Sequence, residues 1–362
     1  MQKITKKRRW NTAFGTGFMI VCLSILLCGG GGEQVYATES QSIPCLSAGR
    51  EMSGRMVIPV GRAVGIKLFS DGVLVVGMSE LETGQGTMNP GRSCGLKAGD
   101  VITHVNGREV DTIEEVQEIL MEEGGQPLTL RASRKGKVVQ LSAKAVMNQG
   151  GQYQLGVWLR DSMAGIGTVT FYDPVSGQFG ALGHGINDVD TAQLMPLESG
   201  NIMYASVSDV KKGVSGAPGE LHGTFDVTCN LGTLYANTEL GVYGKLTQKD
   251  AFDTGKPIAL ACRDEVRTGP ATILSNVAGD EVQEYAIEIV QIYPISAGEC
   301  RNLMVKVTDS KLLEKTGGIV QGMSGSPIIQ DGKLVGAVTH VLVNDPTRGY
   351  GIFIENMLDA AK

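Results

Sequence analysis

The sequence predicts a mainly β protein of two units behind a membrane-directed leader. Three observations predict it. Glycine supplies 50 of 362 residues, about twice its usual share. Short Val/Ile/Leu runs recur between turn-forming residues, which is the pattern of short strands joined by tight turns. Hydrophobic residues make up 42% and charged residues 19%, a balance that excludes a disordered chain and argues against a helix bundle. At roughly 150 residues per domain the length points to two domains. Lysine and arginine number 32 against 38 aspartates and glutamates, a net charge of −6. No field of that sign attracts a nucleic-acid backbone, so DNA and RNA are set aside as partners.

The leader comes first. Lys3, Lys6, Lys7, Arg8 and Arg9 precede 23 uncharged residues, 10–32. As a helix this stretch would reach about 35 Å, enough for a bilayer core, while its strongly apolar centre has only signal-peptide length. Anchor and signal both remain open. Val35-Tyr36-Ala37 carries small residues where a signal peptidase reads, which would start the mature chain at Thr38. In either case the positive-inside rule places the body outside the cytoplasm, membrane-associated or secreted. Residues 1–37 are thus signal or anchor, and 38–56 a polar linker. Five of the seven cysteines fall in the exported part, with no C-x-x-C. That odd set argues for buried free thiols over a disulfide framework or zinc site.

Residues 57–146 form the first unit. Gly95-Leu96-Lys97-Ala98-Gly99-Asp100 leads into an apolar strand ending at Asn106-Gly107, a hairpin signal because both turn positions tolerate positive φ. Thr112-Ile113-Glu114-Glu115 is a capping box, and Ile113, Val116, Ile119 and Leu120 follow at helical spacing until Gly124-Gly125. A strand over residues 128–132 comes next. This order resembles a PDZ domain of the bacterial protease-associated type. The resemblance implies a backbone loop that captures a peptide C-terminus while the peptide adds a strand to the sheet. The segment from Ala63 to Leu68 is the candidate loop, with Gly65 and Ile66 as peptide-binding residues; an ordinary glycine turn is the alternative.

Residues 150–362 form the second unit. Its short runs, with turn candidates at Asp173-Pro174 and Asp331-Gly332, suggest a sandwich or barrel, and its length suits two small barrels packed together. Gly322-Met323-Ser324-Gly325-Ser326-Pro327 precedes a strand–turn–strand. A serine between glycines at a tight turn exposes its Oγ and gathers backbone N–H groups at one point, as an oxyanion hole requires. The missing fifth-place glycine and the downstream hairpin argue against a nucleophile elbow.

A serine needs a base beside it, and the chain has four histidines. His104 and His222 read as structural or exposed, and His340, at the end of the strand after the serine, as packed or hydrogen-bonded. His184 lies between Gly183 and Gly185, with room to face a cleft. For the group that orients the imidazole, Asp309 stands 15 residues before Ser324, with Asp188, Asp190 and Asp226 as competitors. Gly213-Val214-Ser215-Gly216-Ala217-Pro218 repeats the G-x-S-G-x-P pattern, so Ser215 is a rival, ranked lower because no clean hairpin follows it.

Taken together, the basic leader, the PDZ-like unit, Gly183-His184-Gly185, the serine loop and Gly336-Ala337-Val338-Thr339-His340 resemble the SpoIVB peptidase (stage IV sporulation protein B) family, over almost the whole chain. The resemblance implies a chymotrypsin-like double β-barrel, with His184 as base, Asp309 as third member and Ser324 as nucleophile. The N–H groups of Gly322 and Ser324 would form the oxyanion hole. It also implies a membrane-targeted serine endopeptidase that cleaves itself and cuts a regulator of an intramembrane protease, so activating a mother-cell sigma factor from the space between the forespore and mother-cell membranes. No metal or organic cofactor is implied. The reading from another class is a catalytically silent PDZ scaffold that recruits a membrane partner.

Overall fold

The computed structural model describes residues 54–84, 86–252, 255–293 and 300–362. The expected leader, the Thr38 start and nearly all of the linker lie outside the described residues. Among the described residues no helix is long and apolar enough to cross a membrane.

The described residues open on one long strand, β1 (Met56–Met78), whose two halves belong to different bodies. Its first half is mostly buried and pairs on one edge with β5 (Val157–Tyr172) and on the other with β7 (Ser199–Lys211). The pairings continue from β7 to β8 (Glu220–Thr238), β9 (Gly241–Leu246), β6 (Gln178–Ala181) and back to β5. That ring closes a six-stranded barrel around Val64, Leu68, Val169, Phe179 and Ile202.

The second half of β1 enters the PDZ-like unit. There Val73 and Leu74 pair with β2 (Val101–Val105), which pairs with β3 (Pro127–Arg134) and through it β4 (Lys137–Lys144). Two helices cover this sheet. In α1 (Pro90–Cys94) the Asn89 side chain accepts from Arg92 N and Gly95 closes the helix in the left-handed region. The helix α2 (Ile113–Glu123) starts at the expected Thr112–Glu115 capping box and buries Val116, Ile119 and Leu120. The Asn106-Gly107 hairpin forms with φ of +50° and +76°.

A second six-stranded barrel is closed by β10 (Gly269–Ser275), β11 (Gln283–Ile292), β12 (Leu303–Val307), β15 (Asp345–Phe353), β14 (Lys333–Leu342) and β13 (Pro327–Gln330). The Asp331-Gly332 turn between β13 and β14 has φ of +50° and +74°, the hairpin geometry its sequence predicts. Helix α3 (Ser310–Thr316) follows β12, and α4 (Ile354–Ala360) ends the chain. The barrels abut closely enough that Ala63, Val207 and Leu221 of the first sit in the core of the second.

Two expectations are corrected here. The first barrel takes its opening strand from residues before the PDZ-like unit, so that unit is inserted between β1 and β5, and the start of the expected 57–146 unit, as far as Phe69, pairs within the barrel. Gly65 and Ile66 are accordingly not a carboxylate-binding loop. Gly65 lies in mid-strand, opposite Ile166 on one edge and Met203 on the other, and Ile66 is buried. The glycine is there because a Cβ would collide with the Phe225 ring, a close cross-barrel approach with no turn involved.

Candidate active site

The serine loop, Gly322 to Pro327, crosses between the barrels just before β13. Its glycines adopt φ of +97° at Gly322 and +98° at Gly325, values open to glycine. A Cβ on Gly325 would run into the Thr168 carbonyl oxygen and the Leu182 amide. The loop is therefore pressed onto the first barrel, and β5 holds it there: Thr168 N donates to the Ser324 carbonyl at 3.0 Å and Thr168 Oγ1 to the Gly322 carbonyl at 2.7 Å. On its other side Gly325 N donates to Val338 O at 2.7 Å. Met323 fills the second barrel's core, with none of its surface exposed.

The Gly322 and Ser324 carbonyls are thus committed, but the amides of the same two residues are not. The N–H groups of Gly322 and Ser324, the two expected oxyanion donors, make no hydrogen bond among the described residues. Amides left open at a tight glycine turn are what a developing oxyanion needs. The Ser324 hydroxyl is half-buried and donates to Thr339 O at 2.6 Å.

His184 reaches the same place from the first barrel. The turn after β6 passes through Leu182 and Gly183, both at positive φ, and a Cβ on Gly183 would lie 2.9 Å from the Thr339 methyl. The His184 ring lies 5.0 Å, centroid to centroid, from that of His340, with the planes tilted by 38°. His184 Nδ1 is 2.9 Å from the Gly185 carbonyl. With the proton on Nδ1 this bond leaves the Nε2 lone pair free. Burial lowers the His184 pKa, opposed by the Gly185 contact, which keeps the imidazole neutral near pH 7 with a lone pair able to take a proton.

The other expected residues lie elsewhere. Asp309 does not reach His184: it is the N-cap of α3, accepting from Leu312 N at 3.0 Å and from Ala286 N at 3.4 Å. The signal was misleading because an aspartate after an apolar strand also suits a helix cap. Asp188 is buried against Arg160 and accepts from Thr191, Asp190 pairs with Arg160, and Asp226 accepts from Thr228. The hydrogen bond that His184 Nδ1 makes goes to a backbone carbonyl, and none of these four carboxylates replaces it. Ser215 stands on an exposed loop, donating to Asn344 O at 2.9 Å. His104 meets Arg131 and His222 faces Glu220. Cys94, Cys229 and Cys262 are thiols that are half-buried where full burial was expected.

Sequence reasoning undervalued Thr339 and His340. The pair lies in the last part of β14, and a strand that follows the serine loop through one hairpin turn returns beside it; that topology was the available signal.

The family model "SpoIVB peptidase S55" matches residues 151–358, and a PDZ domain model matches residues 89–134. Among solved structures, the PDZ domain of an SdrC-like protein from Listeria monocytogenes is 22% identical, covering 25% of this chain and 87% of that one, with a TM-score of 0.20. The inactive form of the Rv3671c protease of M. tuberculosis is 13% identical, covering 55% and 82%, with a TM-score of 0.31. Its active form is also 13% identical, covering 56% and 73%, with a TM-score of 0.31. No curated protein matches the chain. With the family model spanning more than half the chain, over both the histidine and the serine loops, this protein is a serine peptidase of the SpoIVB peptidase S55 family that carries a PDZ domain.

Proposed function

We propose that Ser324 is the nucleophile and His184 the base of an endopeptidase working by acyl transfer. The observation that carries this reading is the serine loop wedged beside the His184 turn with two unengaged N–H groups. The mechanism requires the hydroxyl to exchange its Thr339 carbonyl partner for the His184 Nε2 lone pair by turning about χ1. Ser324 Oγ then attacks the scissile carbonyl as its proton passes to Nε2, and the Gly322 and Ser324 amides hold the oxyanion. The C–N bond breaks as the imidazolium returns that proton to the departing amine. Water deacylates the ester by the same route.

The PDZ domain would hold a peptide chain end in the groove between α2 and the start of β5. That groove of about 370 Å³ is lined by Ile113, Val116 and Leu120 on the helix and by Val157 and Leu159 on the strand. Holding substrate there raises its effective concentration at the cleft. By family, and by the basic cluster before residues 10–32, the chain acts outside the cytoplasm, membrane-associated or secreted, between the forespore and mother-cell membranes. There it cleaves itself and a regulator of an intramembrane protease in sporulation signalling.

The test is cleavage of an inert copy. Wild-type chain is mixed with an epitope-tagged Ser324→Ala copy, and each variant is also incubated alone. The reading expects the tagged copy to be cut only in the mixture, and His184→Ala to cut neither itself nor the copy. Cleavage of Ser324→Ala incubated alone at the wild-type rate would move the nucleophile elsewhere. No cleavage by wild type of itself, the copy or a general protein substrate would favour a silent scaffold.

A further inference from the structure

In a serine–histidine site something must hold the base in register with the nucleophile, and a carboxylate usually does so. Here the four carboxylates nearest in sequence logic are committed to a helix cap, to Arg160 or to Thr228. Two successive residues in the last part of β14 touch both reacting side chains instead. The Thr339 carbonyl accepts from Ser324 Oγ at 2.6 Å. The His340 ring packs on the His184 ring at 5.0 Å with a 38° tilt, inside the range of paired aromatic rings.

We propose that His340 is a positioning residue for this peptidase: its ring fixes the plane of the His184 imidazole, while the preceding carbonyl fixes Ser324, so that one strand end sets the spacing of base and nucleophile. This rests on the assignment of His184 and Ser324 above.

The surroundings suit such a role. Thr339 is buried, its Oγ1 donates to the Cys300 carbonyl at 2.9 Å, and its methyl fills the space that Gly183 leaves open. The dipeptide is therefore held by both barrels. The titratable and charged groups facing His340 are His184, Cys300, whose Sγ lies 3.9 Å from Nδ1, and Arg301. Burial, then His184, then Arg301 push the His340 pKa down to about 3. The ring consequently stays uncharged when His184 becomes imidazolium, and two cations never face each other. It also covers a face of His184 that water would otherwise reach, which maintains the desolvation that keeps the base neutral.

The experiment compares His340→Phe, His340→Asn and His340→Ala in the full chain. Folding is checked by near-ultraviolet circular dichroism, and the rate of fluorophosphonate labelling at Ser324 is followed from pH 4 to 9 along with kcat and KM on a general protein substrate. Phenylalanine keeps a planar uncharged ring and is expected to label within about 5-fold of wild type. Asparagine and alanine lose the ring and are expected to fall by about 10²-fold in kcat and labelling, the usual scale for a misplaced reacting group, with KM within about 2-fold. In those two, water reaches His184, its pKa rises toward the ordinary value, and the acid limb of the labelling profile moves to higher pH; a merely structural role would leave that limb in place. Should alanine fail to fold, phenylalanine against asparagine decides. Asparagine labelling at the wild-type rate, phenylalanine falling as far as asparagine, or an unmoved acid limb would each overturn the proposal. Absence of label on Ser324 in the wild type would sink the parent assignment, a failure seen before any variant is compared.

Discussion

Two loops of this chain carry the same G-x-S-G-x-P pattern, and only the one around Ser324 is pressed tightly against the first barrel. Around Ser324, Met323 is fully buried, Gly325 is pressed against β5, and the flanking carbonyls are held by Thr168. Around Ser215, Val214 is exposed, a Cβ on Gly216 would meet nothing, and the hydroxyl rests on Asn344 O. No histidine joins it there. The local sequence thus makes a tight serine turn twice, and tertiary context decides which turn meets an imidazole.

The sharpest way to break this comparison is to remove each hydroxyl. Ser324→Ala is expected to lower kcat/KM on a protein substrate by about 10⁴-fold or more, whereas Ser215→Ala leaves it within about 2-fold. Equal losses would mean that the two loops cooperate.

A second contrast adds one methyl to each loop. Both Gly216 and Gly325 have positive φ, so alanine costs about 1–2 kcal/mol at either place. At Gly325 the overlap with Thr168 and Leu182 adds about 1–3 kcal/mol. Urea unfolding of Gly325→Ala should therefore show the larger loss, and equal losses would refute the tight seating of the serine loop.

The imidazoles give a pH dependence that Ser215 lacks. Burial lowers the pKa of both His184 and His340, the latter to about 3 from 6.5. Between those values the unfolded chain binds protons that the folded chain refuses, so stability rises with pH across this window. The contribution is complete above about 6.5 and drains away as pH falls toward 3. Replacing His340 by phenylalanine should flatten part of that slope in thermal unfolding; an unchanged slope would mean that His340 is solvated.

The smallest effect is expected at Asp309. As the cap of α3, the helix leading toward the serine loop, its replacement by alanine should cost about 1 kcal/mol, and asparagine, which also caps, should restore most of it. No change in stability with alanine would remove the capping role.

Much of this was legible in the chain. The capping box at Thr112, the Asn106-Gly107 and Asp331-Gly332 hairpins, the glycine-flanked serine and His184 are local chemistry, and local chemistry is what a sequence displays. The insertion of the PDZ unit was hidden because β1 reads as one apolar run, although its halves serve two bodies; nothing in a strand says which neighbours will pair with it. Gly65 was misread for a related reason: a glycine kept for close packing against Phe225 looks like one kept for a turn. Asp309 failed as a base partner because caps and triads draw on the same residue. His340 was visible only as a strand end, since its partner is 156 residues away and joins it through the barrel interface.

The most direct test of the central claim is to treat the purified chain with a fluorophosphonate and locate the adduct by peptide mass spectrometry. The account predicts a single modified serine, Ser324, whose labelling disappears with His184→Ala. An adduct on Ser215, or on Ser324 at an undiminished rate without His184, would contradict it.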